Sequence, residues 1–252
     1  MTEDLILAIH DSIKIKNPAM KYSGIQNMKR YLTFFCVLFS VLIQAHADEQ
    51  NVNPGINQHY QDAQYQQWLS TFEWSGREVY DRRQDVLQAL ELKEGMDIAD
   101  IGAGTGFYSL LFAEQAGKSG NVFAVDVTDD FVRNIERRAA ENNLKNIHAV
   151  LSEQKNTRLG ADSIDMAFVC NTYHHFEYPQ SMLASIHRAL RPGGTLVIID
   201  YRKHHGTSSS WVMSHVRSGK QSVIKEIEQA GFKLHSESDI LKENYFLRFV
   251  KE

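Results

Sequence analysis

Three glycines at alternate positions behind an acid, Asp100-Ile101-Gly102-Ala103-Gly104-Thr105-Gly106, are the residues of this chain best suited to hold a cofactor. They follow a short apolar run at 96–101 and precede a helix-like run at 107–116. A strand, a glycine-rich turn and a helix in that order form the kind of loop that nucleotide cofactors occupy. Glycine lacks Cβ, tolerates positive φ and lets the backbone approach a ligand, and the helix that follows directs its free N–H groups over the loop. About twenty residues on, Asp126 closes a second apolar run at 121–125, where a carboxylate can accept two hydrogen bonds from ribose hydroxyls.

A second cluster, Tyr173-His174-His175-Phe176-Glu177-Tyr178-Pro179, follows the apolar run at 164–170. Ligands of open α/β sheets bind outside the carboxyl ends of the strands, which is where this segment falls. An imidazole there has the pKa of a general base, so Tyr173, His174 and His175 are the candidate catalytic residues. The plainer alternative is a histidine that packs or caps the next helix. Tyr201 and Arg202, after the fifth apolar run, are further candidates to line a pocket, with Asp200 buried and paired beside them. His215, Arg217 and Lys220 form a cationic group that suits either an anionic ligand or a solvated helix start.

The elements that must position these residues alternate. Strands are expected at 97–101, 121–126, 146–151, 164–170 and 194–200, and helices at 106–117, 128–142 and 178–190. This alternation predicts a parallel, doubly wound α/β sheet of Rossmann-like form. Arg191-Pro192-Gly193-Gly194 reads as a helix stop that turns into the fifth strand. In the tail, a helix at 222–230 precedes two strand-like runs, 232–238 and 245–250, whose connection is too short for a helix, so they pair as an antiparallel hairpin. Upstream, 51–65 is polar and reads as an exposed lead-in, while 66–92 has helical spacing interrupted near Gly76.

The N-terminus has a different character. Met28-Lys29-Arg30, an apolar run at 31–43 and Ala45-His46-Ala47 reproduce the three-part layout of a secretory signal peptide. The apolar run is about thirteen residues, short of the roughly 20 that span a bilayer. The organisation expected is an over-extended start at 1–27, a signal peptide at 28–47, a lead-in and lid helix at 48–92 and the main domain at 93–252. Export after cleavage near Ala47 follows; a membrane tether at 31–43 or a buried helix is the alternative.

Together these motifs resemble the class I S-adenosylmethionine-dependent methyltransferases over residues 75–252. The resemblance rests on the loop at 100–106, Asp126, the run Ser163-Ile164-Asp165-Met166-Ala167-Phe168-Val169, and Leu190-Arg191-Pro192-Gly193-Gly194-Thr195-Leu196, followed by the terminal hairpin. It implies a seven-stranded sheet with its last strand antiparallel, S-adenosyl-L-methionine as cofactor, and methyl transfer to a small-molecule or lipid-like acceptor. It also implies cofactor contacts from Asp100, Gly102, Ala103, Gly104, Gly106, Asp126, Glu153 and Asn171. Members usually carry Gly-Asp where this chain has Ser152-Glu153, and the subgroup with the Tyr-His-His segment often carries Asp at the position of Asn171.

Two competing readings remain: a binding module without turnover and a nicotinamide oxidoreductase. Dinucleotide loops place their third glycine one residue later, and an acid at the loop repels pyrophosphate while suiting the donor's ammonium. The 252 residues carry 27 basic and 31 acidic side chains without a basic block, so no nucleic-acid partner is indicated. Cysteine is confined to Cys36 and Cys170, which disfavours a disulfide framework, a thiolate metal site and arsenic as acceptor. No metal is expected, on the argument that adjacent histidines send their side chains apart. Oligomeric state is not readable.

Overall fold

Apolar runs become strands buried on both faces at the centre of one seven-stranded sheet, while its two edge strands carry polar, partly exposed residues. The computed structural model describes residues 49–60 and 64–252, which form one compact unit with the expected α/β architecture. The readings for 1–27 and 28–47 lie outside the described residues. The strands are β1 (Ile98–Ile101), β2 (Val122–Asp126), β3 (Ile147–Leu151), β4 (Ile164–Cys170), β5 (Leu190–Tyr201), β6 (Phe232–Ser238) and β7 (Asn244–Lys251). Their order is β3-β2-β1-β4-β5-β7-β6, parallel from β3 to β5, with β7 antiparallel to both β5 and β6.

The helices are α1 (Tyr65–Phe72), α2 (Glu78–Asp81), α3 (Arg83–Leu90), α4 (Phe107–Ala116), α5 (Asp129–Glu141), α6 (Pro179–Ala189), α7 (Ser210–His215) and α8 (Lys220–Gln229). Successive side chains on β4 and β5 point to opposite faces and so into two separate cores. Ala167, Val169, Leu196 and Ile198 pack with Leu183 and Ile186 of α6 and Ile227 of α8. Met166, Phe168, Val197 and Ile199 pack with Leu90 of α3 and Phe112 of α4. Among the described residues, no helix is long and apolar enough to cross a membrane.

Two segments differ from the sequence expectation. The helical spacing over 66–92 resolves into three short helices, with Gly76 at φ +115° between α1 and α2. Strand β5 begins at Leu190 rather than 194, pairing first with Ile164 and then, past an irregularity, through Thr195 with Met166. Arg191 holds this early start, bonding Asp97 at 2.8 Å and Asp165 at 2.8 Å at the far end of the sheet from the glycine loop.

Candidate active site

At the carboxyl ends of β1 and β2, backbone and carboxylate lock the glycine loop in place. Gly102 N and Ala103 N donate to Val125 O at 2.8 and 3.1 Å. Gly104 N donates to Asp126 Oδ2 at 2.8 Å, and Thr128 N to Asp126 Oδ1 at 2.9 Å. Gly102 and Gly104 have φ of +72° and +56°, so both adopt the left-handed region that side chains disfavour. A Cβ on Gly102 would stand 2.2 Å from Thr172 Cγ2, and one on Gly104 would stand 3.1 Å from the Phe72 ring.

This loop floors a cavity that Asp100, Ala103, Asp126, Asn171 and His175 also line, with Tyr60 and Phe72 from the N-terminal segment across it. Asp100 is buried and accepts from Ser109 Oγ at 2.6 Å. Burial raises its pKa to about 7, against the pull of the Ser109 hydrogen bond, with the Asp126 charge adding to the rise. Burial also raises Asp126, opposed by the Gly104 and Thr128 amides. Asn171 sits at φ +49° just past β4, and both polar atoms of its amide are buried without a partner.

A second cavity, about 560 Å³, adjoins the first and shares Tyr60, Phe72, Arg77, Asn171 and His175 with it. Its wall carries His174, His175 and His215 together with Tyr201 and Trp211. Tyr173–His175 form one 3-10 turn, and there the rings of His174 and His175 lie 4.2 Å apart by centroid. The expectation that adjacent histidines diverge is therefore corrected. Divergence holds for the alternating side chains of a strand; this tight turn and its tertiary partners bring the two rings together instead.

Asp200 fixes His174: its Oδ2 accepts from His174 N at 3.0 Å and its Oδ1 lies 2.7 Å from Nδ1. Nε2 of His174 is then buried with no partner. His175 Nδ1 lies 3.1 Å from Asn57 Oδ1, and its Nε2 lies 3.4 Å from His215 Nε2. Burial, then the charges on His174 and His215, push the His175 pKa down to about 2. Its imidazole is neutral at physiological pH and is a weak base.

The glycine loop, Asp100, Asp126, Asn171 and His175 thus meet around one cavity, and His174 lines its neighbour. Three predicted site residues line neither cavity. Gly106 precedes α4 at φ +80° and abuts Ile135, because the loop turns into the helix there. Glu153 is exposed and pairs with Arg158 at 2.5 Å, while its neighbours Ser152 and Gln154 line the cavity. The strand carrying them ends at Leu151, and the Glu153↔Asn156 bridge beyond it aims the carboxylate outward. Tyr173 is buried in the core beneath the other sheet face and donates from its hydroxyl to Glu226 at 2.9 Å. The 3-10 turn rotates it away from the two histidines.

The cationic group also disperses. Arg217 pairs with Glu226 at 2.7 Å, Lys220 with Glu237, and only His215 enters the cavity. Sequence reasoning missed Asn57, which lies in the lead-in expected to be exposed. It is 7% exposed and donates to His175 O at 2.9 Å. No local pattern marks it, because its partner is far away along the chain.

Residues 92–245 match the family described as a methyltransferase domain. The chain belongs to that family. S-adenosyl-L-methionine is the cofactor of this family and fold, and the residues present fit it. The Asp126 carboxylate has lone pairs left for ribose hydroxyls after its two amide bonds, Asn171 offers an unpaired buried amide, and the glycine loop presents backbone without side chains at Gly102 and Gly104 to the cavity.

Among curated relatives, a ubiquinone/menaquinone biosynthesis C-methyltransferase of Blochmanniella floridana is 28% identical over 120 residues, 47% of each chain. An arsenite methyltransferase of Halobacterium salinarum is 27% identical over 106 residues, 42% of this chain and 27% of that one. The chain thus spans half or less of the length of these two relatives. A SAM dependent methyltransferase from Aquifex aeolicus superposes with a TM-score of 0.68 at 25% identity, covering 76% of this chain and all of that one.

Proposed function

We propose that this protein transfers the methyl group of S-adenosyl-L-methionine to a small or lipid-like acceptor held in the histidine-walled cavity. The observation that carries this reading is the shared wall. Tyr60, Phe72, Arg77, Asn171 and His175 border both cavities, so a donor in one lies next to an acceptor in the other. When bound, S-adenosyl-L-methionine would supply a sulfonium methyl carbon for in-line attack by an acceptor lone pair, with S-adenosylhomocysteine as the leaving thioether. The chain's contribution is positional: Asp126 and the glycine loop hold the donor, and the second cavity orients the acceptor. Tyr60, Trp68, Trp74, Tyr201 and Trp211 make that cavity aromatic, which suits a flat or lipid-like molecule. The quinone-biosynthesis name of the Blochmanniella floridana relative points the same way. An arsenic acceptor fits poorly, since Cys170 is the single cysteine among the described residues and burial pushes its thiol up to about 12.

The second reading is an exported binding module without turnover, favoured by the signal-peptide layout at 28–47. Export is part of the proposal. Fractionation of cells, with mass spectrometry of the processed N-terminus, is expected to find the chain starting near Asp48 outside the cytoplasm; an intact cytoplasmic chain overturns it. Calorimetry on the full chain is expected to show binding of S-adenosylhomocysteine and none of NADH. Labelled methyl transfer into a metabolite extract then separates the readings. Donor binding without incorporation supports the module, and NADH binding alone removes both.

A further inference from the structure

We propose that His174, His175 and His215 form a zinc site on the wall of the second cavity, where His175 also borders the first. Each offers one ring nitrogen, and the three lie within 4.8 Å of one another. His175 Nε2 and His215 Nε2 are already 3.4 Å apart. Two imidazole nitrogens on one tetrahedral zinc, each at about 2.0–2.1 Å, are separated by about 3.3–3.4 Å. Bringing in the third takes ring movement on the order of 1 Å.

A histidine–histidine hydrogen bond accounts for the 3.4 Å contact but not for His174. Its ring is 4% exposed, its Nδ1 is taken by Asp200, and its Nε2 is buried beside the other two rings with no partner. A cation supplies that missing partner. The surroundings are those of a ligand set. Asp200 and Asn57 hold the Nδ1 atoms of His174 and His175, which turns both Nε2 atoms toward a shared point. Trp211 stacks on His215 at 4.5 Å between centroids and fixes the third ring.

Three imidazoles without a carboxylate ligand select a borderline metal over magnesium or calcium. Three protein ligands also leave a coordination position open, as in catalytic rather than structural zinc sites. That position gives onto the cavity lined by Tyr201 and Trp211, where an acceptor oxygen, nitrogen or sulfur can take it. The site stands on these residues alone and does not depend on the methyl-transfer reading.

The test is titration of the metal-free, untagged full chain with Zn²⁺ alone against a competing chelator, repeated with Co²⁺ to record visible absorption. One equivalent of zinc with sub-micromolar affinity is expected, together with the intense bands of four-coordinate cobalt. His215→Ala, whose side chain is only partly buried, is expected to weaken zinc at least 100-fold while keeping the zinc-free melting temperature. Asp200→Asn is expected to weaken it 10- to 100-fold. Absence of stoichiometric uptake, or uptake that His215→Ala leaves unchanged, overturns the site.

Discussion

The amide of Gly104 donates to the Oδ2 of Asp126 across 2.8 Å, so the cofactor loop and the acid at the tip of β2 are one structural piece. Thr128 N occupies the other oxygen at 2.9 Å, and Gly102 and Ala103 bond Val125 just before it. Losing the carboxylate would therefore release the loop and remove the acceptors proposed for the ribose. Asp126→Ala is expected to weaken S-adenosylhomocysteine binding by about 1–3 kcal/mol, roughly 5- to 150-fold. The melting temperature should fall as well, because two buried amides lose their partner. Unchanged affinity by calorimetry would take Asp126 out of the cofactor site.

Tyr173 neighbours His174 in sequence but faces the opposite core, where its hydroxyl donates to Glu226 at 2.9 Å and Arg217 closes the network. Tyr173→Phe keeps the ring and deletes one buried hydrogen bond. A stability loss of about 1–2 kcal/mol in urea unfolding is expected. S-adenosylhomocysteine affinity should stay within about twofold, since the hydroxyl reaches neither cavity. A large loss of affinity at unchanged stability would return Tyr173 to the site.

What the sequence made legible was local. The loop, Asp126 and the terminal hairpin each lie within one strand–turn–helix or strand–turn–strand unit, whose apolar runs and turn residues suffice to place them. The histidine wall was only half legible. His174 and His175 were readable from their position after β4, but the convergence of their rings depends on Asp200 at the end of β5 and on Asn57 in a polar segment without periodicity. His215 looked like one of three cations because charge alone was visible. The acids that claim Arg217 and Lys220 come from α8 and β6, which no spacing relates to α7. Glu153 was misplaced for a similar reason: a turn beyond β3 decides which of three consecutive side chains faces inward.

Gly102 and Thr172 meet across the gap between β1 and β4. A methyl at position 102 would lie 2.2 Å from Thr172 Cγ2 and 2.7 Å from its Oγ1, and φ there is +72°. Gly102→Ala thus adds a clash to backbone strain, and a loss of about 2–4 kcal/mol is expected in urea unfolding. Thr172→Ala in the same chain removes the two nearest atoms and leaves Thr172 Cβ at 2.9 Å. The double variant is expected to regain most of the steric part and retain a deficit of about 1 kcal/mol or more from φ and the remaining contact. Additive losses would mean that the two residues do not touch.

Asp100 connects cofactor binding to pH. Burial lifts its pKa to about 7, and Ser109 is its hydrogen-bond partner. The folded protein therefore holds a proton that the unfolded chain releases near its ordinary value of 3.8. With the folded value raised, the stabilising contribution is complete below about pH 4 and is lost as pH rises through about 7. Asp100→Asn, uncharged throughout, should flatten that decline, so its melting temperature relative to the parent should improve between pH 6 and pH 8, an interval of about 2 units across the pKa. A cationic cofactor in the same cavity favours the carboxylate and lowers its pKa. Binding of S-adenosyl-L-methionine is then expected to expel protons near neutral pH and to tighten as pH rises from about 6 to 8. Calorimetry at pH 7 in buffers of different ionisation enthalpy measures this directly. Equal heats in every buffer would mean that binding releases no proton, and release that persists unchanged in Asp100→Asn would place the proton on another group.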